Sequence, residues 1–181
     1  MNIHDLLSTS ERERILGYLL EHPSEKISMN GLARKLGLSA GQIHKYVGIL
    51  RGEGLVLGTA LQETPLTRAL RLLWNIKRIQ EAKVVDVLRG RFPESEGIGI
   101  YGSWAHGTNF EGADLDIWLS MKKEPEDLKI AKARRELEER AGVPVDITTA
   151  TPERLKHFRE KSEAFYFSLY NGLILWGEGL D

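Results

Sequence analysis

Three aspartates in the second half of the chain have the spacing of a metal site. Asp114 and Asp116 lie one residue apart in ADLDIWLS, and Asp146 lies in VPVDITT. Residues i and i+2 of a strand share a face, so Asp114 and Asp116 are predicted to point one way while Leu115 and Ile117 face the core. Two adjacent carboxylates repel and raise each other's pKa. A divalent cation removes that cost, and hard oxygen ligands favour Mg²⁺ or Mn²⁺.

The chemistry that such a site could perform is transfer of a phosphoryl group. Two metal ions about 3.5–4 Å apart can hold a phosphoryl group during in-line attack. A neighbouring strand that carries Asp146 on the same face would supply a third carboxylate. Gly102 and Ser103 end the apolar segment GIGIYGS. Glycine lets a backbone approach a phosphate closely, and serine can donate a hydrogen bond to a phosphate oxygen.

The elements around these residues alternate between strands and helices. The strand GIGIYGS, a short helix and the strand ADLDIWLS are followed by a charged amphipathic helix that ends at Gly142. The strand VPVDITTA then precedes a helix capped by Thr151, with Pro152 at its first position. Residues 66–91 form a predicted helical stretch with at most one break. The aromatic tail 162–179 is predicted to dock on this domain.

These motifs, in this order, resemble the signature of the DNA polymerase beta-type nucleotidyltransferase superfamily and, in particular, its minimal nucleotidyltransferases. The resemblance covers about residues 66–181. It implies a small α+β domain with a short mixed or antiparallel sheet and flanking helices. It also implies Mg²⁺-dependent (or Mn²⁺-dependent) transfer of a nucleoside monophosphate from a nucleoside triphosphate to a hydroxyl, with release of pyrophosphate. The implied catalytic and metal-binding residues are Asp114, Asp116 and Asp146, and the implied nucleotide-binding residues are Gly102, Ser103, His106 and Gly107.

Two positions depart from the pattern common in that superfamily. His106 stands in GSWAHG where many members have arginine, and Ala113 precedes Asp114 where many have serine. The charge of a histidine depends on pH, whereas that of an arginine does not. Neither change replaces an implied metal ligand, so both bear on nucleotide affinity more than on metal binding.

The first third of the chain has the layout of a helix-turn-helix. A helix at Met29–Leu36 ends at Gly37, and a second helix runs from the capping residue Ser39 to about Arg51. An earlier helix is predicted to be capped by Ser10, and LVLGTALQET is predicted to form a small hairpin. Three helices followed by a hairpin resemble a winged helix.

A local basic surface on the second of these helices is the candidate contact with duplex DNA. The stretch from Arg34 to Arg51 contains no acidic residue. The predicted DNA-binding residues are Gln42, His44, Lys45 and Arg51, whose side chains can reach base edges or phosphates. Residues 1–64 as a whole balance seven basic against seven acidic residues. The module could therefore equally contact protein, since helix-turn-helix domains also serve in protein contacts.

Composition and pattern divide the chain into a winged helix-turn-helix domain at 1–64 and a nucleotidyltransferase-like domain at 65–181. The net charge of −1 and the 41% of hydrophobic residues are those of a globular protein. The chain has no cysteine, so a disulfide frame and a thiolate metal site are excluded. Because neither a signal peptide nor an apolar run of membrane length is visible, we expect a cytoplasmic protein without a membrane contact.

Three functions remain open on the sequence. The first is a nucleotidyltransferase with an attached DNA-binding module. The second is a non-catalytic or nucleotide-sensing transcriptional regulator that binds DNA. The third is an antitoxin-like protein that acts on a partner, since minimal nucleotidyltransferases often work with a separate helical protein. The acceptor, the nucleotide (with ATP one candidate) and the oligomeric state also stay open.

Overall fold

A computed structural model describes residues 9–180 of the chain. Two compact units are present, Met1–Trp74 and Asn75–Asp181. Within residues 9–74, the first unit contains three helices, a two-stranded hairpin and the start of a longer helix. The elements before the longer helix are α1 (Ser10–Glu21), α2 (Met29–Leu36), α3 (Ala40–Gly52), β1 (Val56–Leu57) and β2 (Ala60–Leu61).

Side-chain caps determine where these helices begin. Thr9 has extended backbone angles and accepts a hydrogen bond from the amide of Arg12, so Thr9 caps α1 and the prediction of Ser10 is wrong by one residue. Ser39 caps α3 as predicted, and it forms a capping box with Gln42. Gly37 ends α2 with φ 61°, a conformation that glycine adopts without steric cost.

The core of the first unit is built from all three helices and the hairpin. The hairpin is antiparallel, with Val56 opposite Leu61 and Leu57 opposite Ala60. Its buried residues Val56 and Leu61 close one side of the core. The fully buried helical residues of this core include Ile15, Leu16, Leu19, Leu32, Ile43, Val47 and Leu50.

The division between the units falls within the long helix α4 (Pro65–Glu81). Leu70 belongs to the core of the first unit, and Trp74 packs against that core. Ile79 belongs to the core of the second unit. The domain boundary between residues 64 and 65 stays a prediction about where the two sequence modules meet. The packing of the chain separates the two units later along the same helix, between Trp74 and Asn75.

One break follows α4, as predicted for residues 66–91. Lys83 precedes α5 (Val84–Arg91) and has φ 55°. Among residues 9–180 it is the one non-glycine residue with positive φ, which costs a lysine about 1–2 kcal/mol. Ala82 and Val84 on either side are buried, so burial of these neighbours offsets the cost of the turn.

The second unit is built on a four-stranded mixed sheet. Its strands are β3 (Gly97–Ile100), β4 (Leu115–Ser120), β5 (Val145–Ala150) and β6 (Leu173–Gly177), in the order β5-β4-β3-β6. β3 is antiparallel to both β4 and β6, whereas β4 and β5 are parallel. A parallel pair needs a crossover, which α7 (Asp127–Ala141) provides. This confirms the predicted mixed α+β sheet, and it adds β6, which lies in the tail that we predicted only to dock.

Helices cover both faces of this sheet. Ile117 on one face of β4 packs in a core with residues of α4, α5, α7 and the short helix α6 (Gly102–His106). Trp118 on the other face packs with Leu155 of α8 (Pro152–Lys161) and Leu169 of α9 (Glu163–Tyr170). Asp116 shares the Trp118 face because side chains alternate along a strand.

No helix formed by residues 9–180 combines the length and the apolar character that crossing a membrane requires.

Candidate active site

Strand register brings two of the predicted carboxylates side by side. Asp116 of β4 and Asp146 of β5 are Cα partners in the parallel ladder, and neighbouring strands lie about 4.8 Å apart. Both side chains are half-buried, while Ile117 and Ile147, the residues that follow them, are buried. The apolar residues therefore anchor the strands and aim both aspartates to the same face.

Asp114 lies immediately before β4 and is exposed, so it reaches the site from a loop and not from the strand that we predicted for it. Side chains of the second unit hold this loop. The indole Nε1 of Trp104 donates to the carbonyl of Ala113 at 3.2 Å. Further back, the buried amides of Asn75 and Asn109 bond to one another at 2.8 Å. The first bond fixes Ala113, the residue that precedes Asp114, and the second fixes the earlier part of the loop at Asn109.

Like charges and burial raise the pKa of one carboxylate. The pKa of Asp116 is raised to about 6, first by burial, then by the charge of Asp146 and then by that of Asp114. Burial also raises the pKa of Tyr101 to about 12, against a hydrogen bond from Thr148 and with a contribution from the charges of Asp116 and Asp146. All three aspartates therefore act on one small region at the end of β4.

Gly102 places the backbone against the carboxylate of Asp116. Its φ is 66°, and a Cβ built on it would overlap Oδ2 of Asp116. A side chain at this position is therefore strained by the backbone conformation, and it would also require the carboxylate of Asp116 to move. The amide of Tyr101 donates to the carbonyl of Asp116 at 3.1 Å, which locks the end of β3 to β4 beside the site.

The other predicted nucleotide-binding residues lie on α6, directly after Gly102. Ser103 is half-buried, and its carbonyl accepts hydrogen bonds from the amides of Gly107 and Thr108. Gly107 is buried and ends α6 with φ 62°. His106 is exposed on the last residue of α6. The turn therefore gives Gly107 a structural role and presents His106 to solvent.

Sequence reasoning missed three residues around the aspartates. Arg134 of α7 donates from Nη2 to Oδ1 of Asp146 at 3.0 Å. Tyr101 and Thr148 form a buried hydroxyl pair at 3.0 Å on the same face of the sheet. Thr148 had a signal, because it follows Asp146 by two residues in a strand. No sequence pattern indicated Arg134, because α7 carries several arginines and nothing in the sequence distinguishes one from another.

The chemistry of the aspartates fits a divalent cation. In the described part of the chain, no three His, Asp or Glu side chains converge into a preformed metal site. The donor set nevertheless consists of hard carboxylate oxygens. After burial, the next contributions to the raised pKa of Asp116 come from repulsion by Asp146 and Asp114. A cation between Asp114 and Asp116 would relieve it.

The predicted DNA-binding residues all lie exposed on α3, in the first unit. The amide oxygen of Gln42 accepts from the amide of Ser39 at 2.9 Å and from its hydroxyl at 2.8 Å, so part of Gln42 serves the capping box. Arg51 donates to the carbonyl of Gly58 at 3.3 Å and ties α3 to the hairpin turn. His44 and Lys45 are exposed in the middle of the helix.

Two protein families match separate parts of the chain. Residues 81–170 match the model of the nucleotidyltransferase domain. Residues 12–56 match the model of the winged helix-turn-helix DNA-binding domain. These matches confirm that the chain joins an N-terminal winged helix-turn-helix to a nucleotidyltransferase domain, as the sequence predicted. No curated protein matches the chain.

Solved structures with partial similarity include three toxin–antitoxin structures. One, of an MntA–HpeT mutant, is 20% identical, with a TM-score of 0.44 over 54% of this chain and 73% of that chain. Another, of a toxin–antitoxin with AMP-PNP, is 22% identical, with a TM-score of 0.44 over 54% and 73%. A third, of a tri-AMPylated Shewanella oneidensis HEPN toxin in complex with MNT antitoxin, is 19% identical, with a TM-score of 0.41 over 56% and 73%. Similarity at this level does not support an argument about the activity of this chain.

Proposed function

We propose that the chain is a metal-dependent nucleotidyltransferase that moves a nucleoside monophosphate from a nucleoside triphosphate to a hydroxyl. The observation that carries this proposal is the pairing of Asp116 with Asp146 in strand register, beside the Gly102 turn. Burial of repelling carboxylates costs stability, and a strongly raised carboxylate pKa in a structured site is a mark of function. The match of residues 81–170 to the nucleotidyltransferase domain supports the same conclusion.

Each aspartate has a role in this reaction. Asp114 and Asp116 would hold Mg²⁺, and Asp146 would belong to the same ligand set. Bound Mg²⁺ supplies charge that offsets the leaving pyrophosphate and lowers the pKa of the attacking hydroxyl. Asp146 accepts the proton of that hydroxyl as its oxygen bonds to the α-phosphorus. Pyrophosphate then leaves with the electron pair of the broken bond.

The Gly102 turn binds the nucleotide in this proposal. Because Gly102 has no Cβ, a phosphate can approach the backbone beside Asp116. The hydroxyl of Ser103 donates to a phosphate oxygen, and the exposed imidazole of His106 contacts the triphosphate. Gly107 contributes by ending α6 and so shaping the turn.

The test is incubation of the purified chain with each α-labelled nucleoside triphosphate and Mg²⁺, with and without a cell extract. We expect label on an acceptor with one preferred nucleotide, and no label with Asp116→Asn. The size of the labelled acceptor separates the remaining alternatives. A labelled protein would favour the antitoxin-like function. A labelled nucleic acid would favour transfer to the nucleic acid that the first unit binds. Nucleotide binding without transfer under all conditions would instead favour the regulator.

We also propose that the winged helix-turn-helix binds duplex DNA through α3. The match of residues 12–56 to a DNA-binding family supports this proposal, as does the exposure of His44 and Lys45 on a helix segment without acidic residues. Phosphate contacts by such side chains release counterions, so binding is expected to fall steeply with added salt.

A further inference from the structure

We propose that Arg134 is the positioning residue for Asp146. It holds one carboxylate oxygen of Asp146 so that the other oxygen stays directed to the metal and to the acceptor hydroxyl. This inference rests on the proposed function, because it assigns a task to a residue beside the third aspartate. Arg134 itself touches neither the metal nor the substrate in this scheme.

The contact joins a helix to the strand that carries the aspartate. Nη2 of Arg134 lies 3.0 Å from Oδ1 of Asp146, and the two side chains are 44% and 48% exposed. One turn later on α7, Glu138 accepts a hydrogen bond at 3.3 Å from the amide of Val145. The residues i and i+4 of one helix thus hold two consecutive residues of β5, Val145 by its backbone and Asp146 by its side chain.

The position of the guanidinium is set by more than this ion pair. Nε of Arg134 is buried and has no hydrogen-bond partner among residues 9–180. The neighbouring Ala133 and Leu137 are fully buried in the core of the unit, so the helix is fixed against the sheet. A buried donor without a partner costs about 1–3 kcal/mol. That cost is explained if the side chain of Arg134 must point toward Asp146.

Ligating carboxylates are commonly held by a further hydrogen bond, and loss of that partner typically costs about 10–100-fold in metal affinity or activity. A half-exposed ion pair, by contrast, contributes only about 0–1 kcal/mol to stability. A positioning role and a merely structural role therefore predict different results for the same substitution. If Arg134 positions Asp146, its substitution changes the metal affinity and the rate of transfer. If Arg134 is merely structural, its substitution changes little of either.

The chain offers a matched control on the same helix. Arg135 is the next residue and pairs with Glu139 at 3.2 Å, but its side chain is 84% exposed and the pair lies on the helix surface. Arg134→Gln and Arg135→Gln each remove one charge and one ion pair of α7. Arg134→Lys keeps the charge while replacing the planar fork with a single ammonium group.

The experiment measures Mn²⁺ affinity by electron paramagnetic resonance, kcat and KM for the nucleoside triphosphate, and the Tm of all variants. We expect Arg134→Gln to weaken Mn²⁺ binding and lower kcat by about 10–100-fold, with a smaller change in KM. Arg134→Lys should recover part of both losses. Arg135→Gln should match the wild type, and the two glutamine variants should have similar Tm values.

Equal Mn²⁺ affinity and equal kcat in Arg134→Gln and Arg135→Gln would overturn the inference. If the wild type transfers no nucleotide, the proposed function fails, but Mn²⁺ affinity still decides the role of Arg134. Weaker Mn²⁺ binding by Arg134→Gln alone would then support it, and unchanged binding would overturn it. If Arg134→Gln has a much lower Tm than Arg135→Gln, recovery of Mn²⁺ affinity by Arg134→Lys supports positioning, and its absence counts against it.

Discussion

The carboxylate site and the surface of α3 use polar side chains in opposite ways. At the site, Asp116 and Asp146 lie side by side on a buried sheet, and their repulsion helps to raise the pKa of Asp116 to about 6. On α3, Gln42 caps its own helix and Arg51 binds the hairpin turn. The polar groups of the first region work against stability, and those of the second contribute to it.

This difference separates functional from structural explanations. Hydrogen bonds within the first unit account for Gln42 and Arg51 without any ligand. Arg134 pairs with Asp146, but in the part of the chain that the structure describes no side chain pairs with the carboxylate of Asp116, and a bound cation would do so. A ligand therefore explains more in the second unit than on α3, and substitutions in the second unit should have the larger effects.

Outside the three aspartates, the largest effect is expected from Gly102→Ala. The new Cβ would overlap Oδ2 of Asp116, and it would also block the approach of a phosphate to the backbone. We expect nucleotide transfer to fall by about 10²-fold or more, comparable to loss of one preorganised contact to a reacting oxygen. Positive φ adds a stability cost of about 1–3 kcal/mol. Steady-state transfer rates and urea unfolding measure the two effects.

Gly142→Ala is the matched control for backbone strain. Gly142 ends α7 with φ 68°, nearly the φ of Gly102, but a Cβ there would meet no atom within 4 Å. It should lose stability through positive φ and keep its activity. Equal losses of activity in both variants would show that strain alone, and not the contact with Asp116, matters at Gly102.

The sequence was sufficient for the parts of the site that depend on strand pattern. Asp146 alternates with buried valine and isoleucine, so period two predicts that it faces away from them. The pairing of β5 with β4, which puts Asp146 beside Asp116, does not follow from that pattern. The sequence was insufficient where a choice depends on tertiary packing. Thr9 and Ser10 are both capping residues, and only the backbone angles decide between them. Whether the side chain of Arg134 points toward Asp146 likewise depends on how α7 packs against the sheet.

The tail shows a second limit. LILW of β6 is a short apolar run, and such a run fits a buried helix or a strand equally well. Pairing with β3 decides the matter, with Ile98 opposite Trp176 and Ile100 opposite Leu173. This pairing joins residues far apart in the chain, so no local pattern could have indicated it.

A smaller effect is expected from Lys45→Ala on DNA binding. Lys45 is exposed in the middle of α3, and loss of one phosphate contact should weaken binding uniformly and reduce the salt slope by about 1. Lys26→Ala is the control, because Lys26 is an exposed lysine of the same unit that lies outside α3. Fluorescence anisotropy against a mixed-sequence duplex at several salt concentrations measures both. If the protein does not bind the duplex at low salt, or if the two variants weaken binding equally, the proposal that α3 contacts DNA is wrong.

Gln42 allows the structural and binding roles of α3 to be separated. Gln42→Ala removes the acceptor of the capping box and should lower the free energy of unfolding by about 0.5–1 kcal/mol. Gln42→Glu keeps an acceptor that suits a capping box and adds a negative charge on the surface of α3. It should therefore keep stability but weaken DNA binding. If Gln42→Glu binds DNA as the wild type does, Gln42 serves only the helix.

An effect of similarly small size is expected in the pH dependence of the stability of the metal-free protein, caused by Asp116. Its pKa is about 6 in the folded chain against an ordinary value of 3.8. Between these values the folded state binds more protons than the unfolded state, so stability falls as pH rises from about 4 to about 6. Below this window both states are protonated, and above it the cost is fully present.

Asp116→Asn removes this titration, so in EDTA its Tm should equal that of the wild type near pH 4 and exceed it above pH 6. The shift of about two units is discounted because the carboxyl is half-exposed, which leaves about 1 kcal/mol, or about 2–4 °C. Asp146→Asn should move the midpoint of the wild-type curve to lower pH, since the charge of Asp146 is the larger of the two that raise the pKa of Asp116. Excess Mg²⁺ should reverse the order, because it stabilises the folded wild type by binding and the variant much less. Parallel curves for the wild type and Asp116→Asn from pH 4 to 7 would mean that neither burial nor the neighbouring charges raise the pKa of Asp116, and the contrast with α3 would then lose its electrostatic basis.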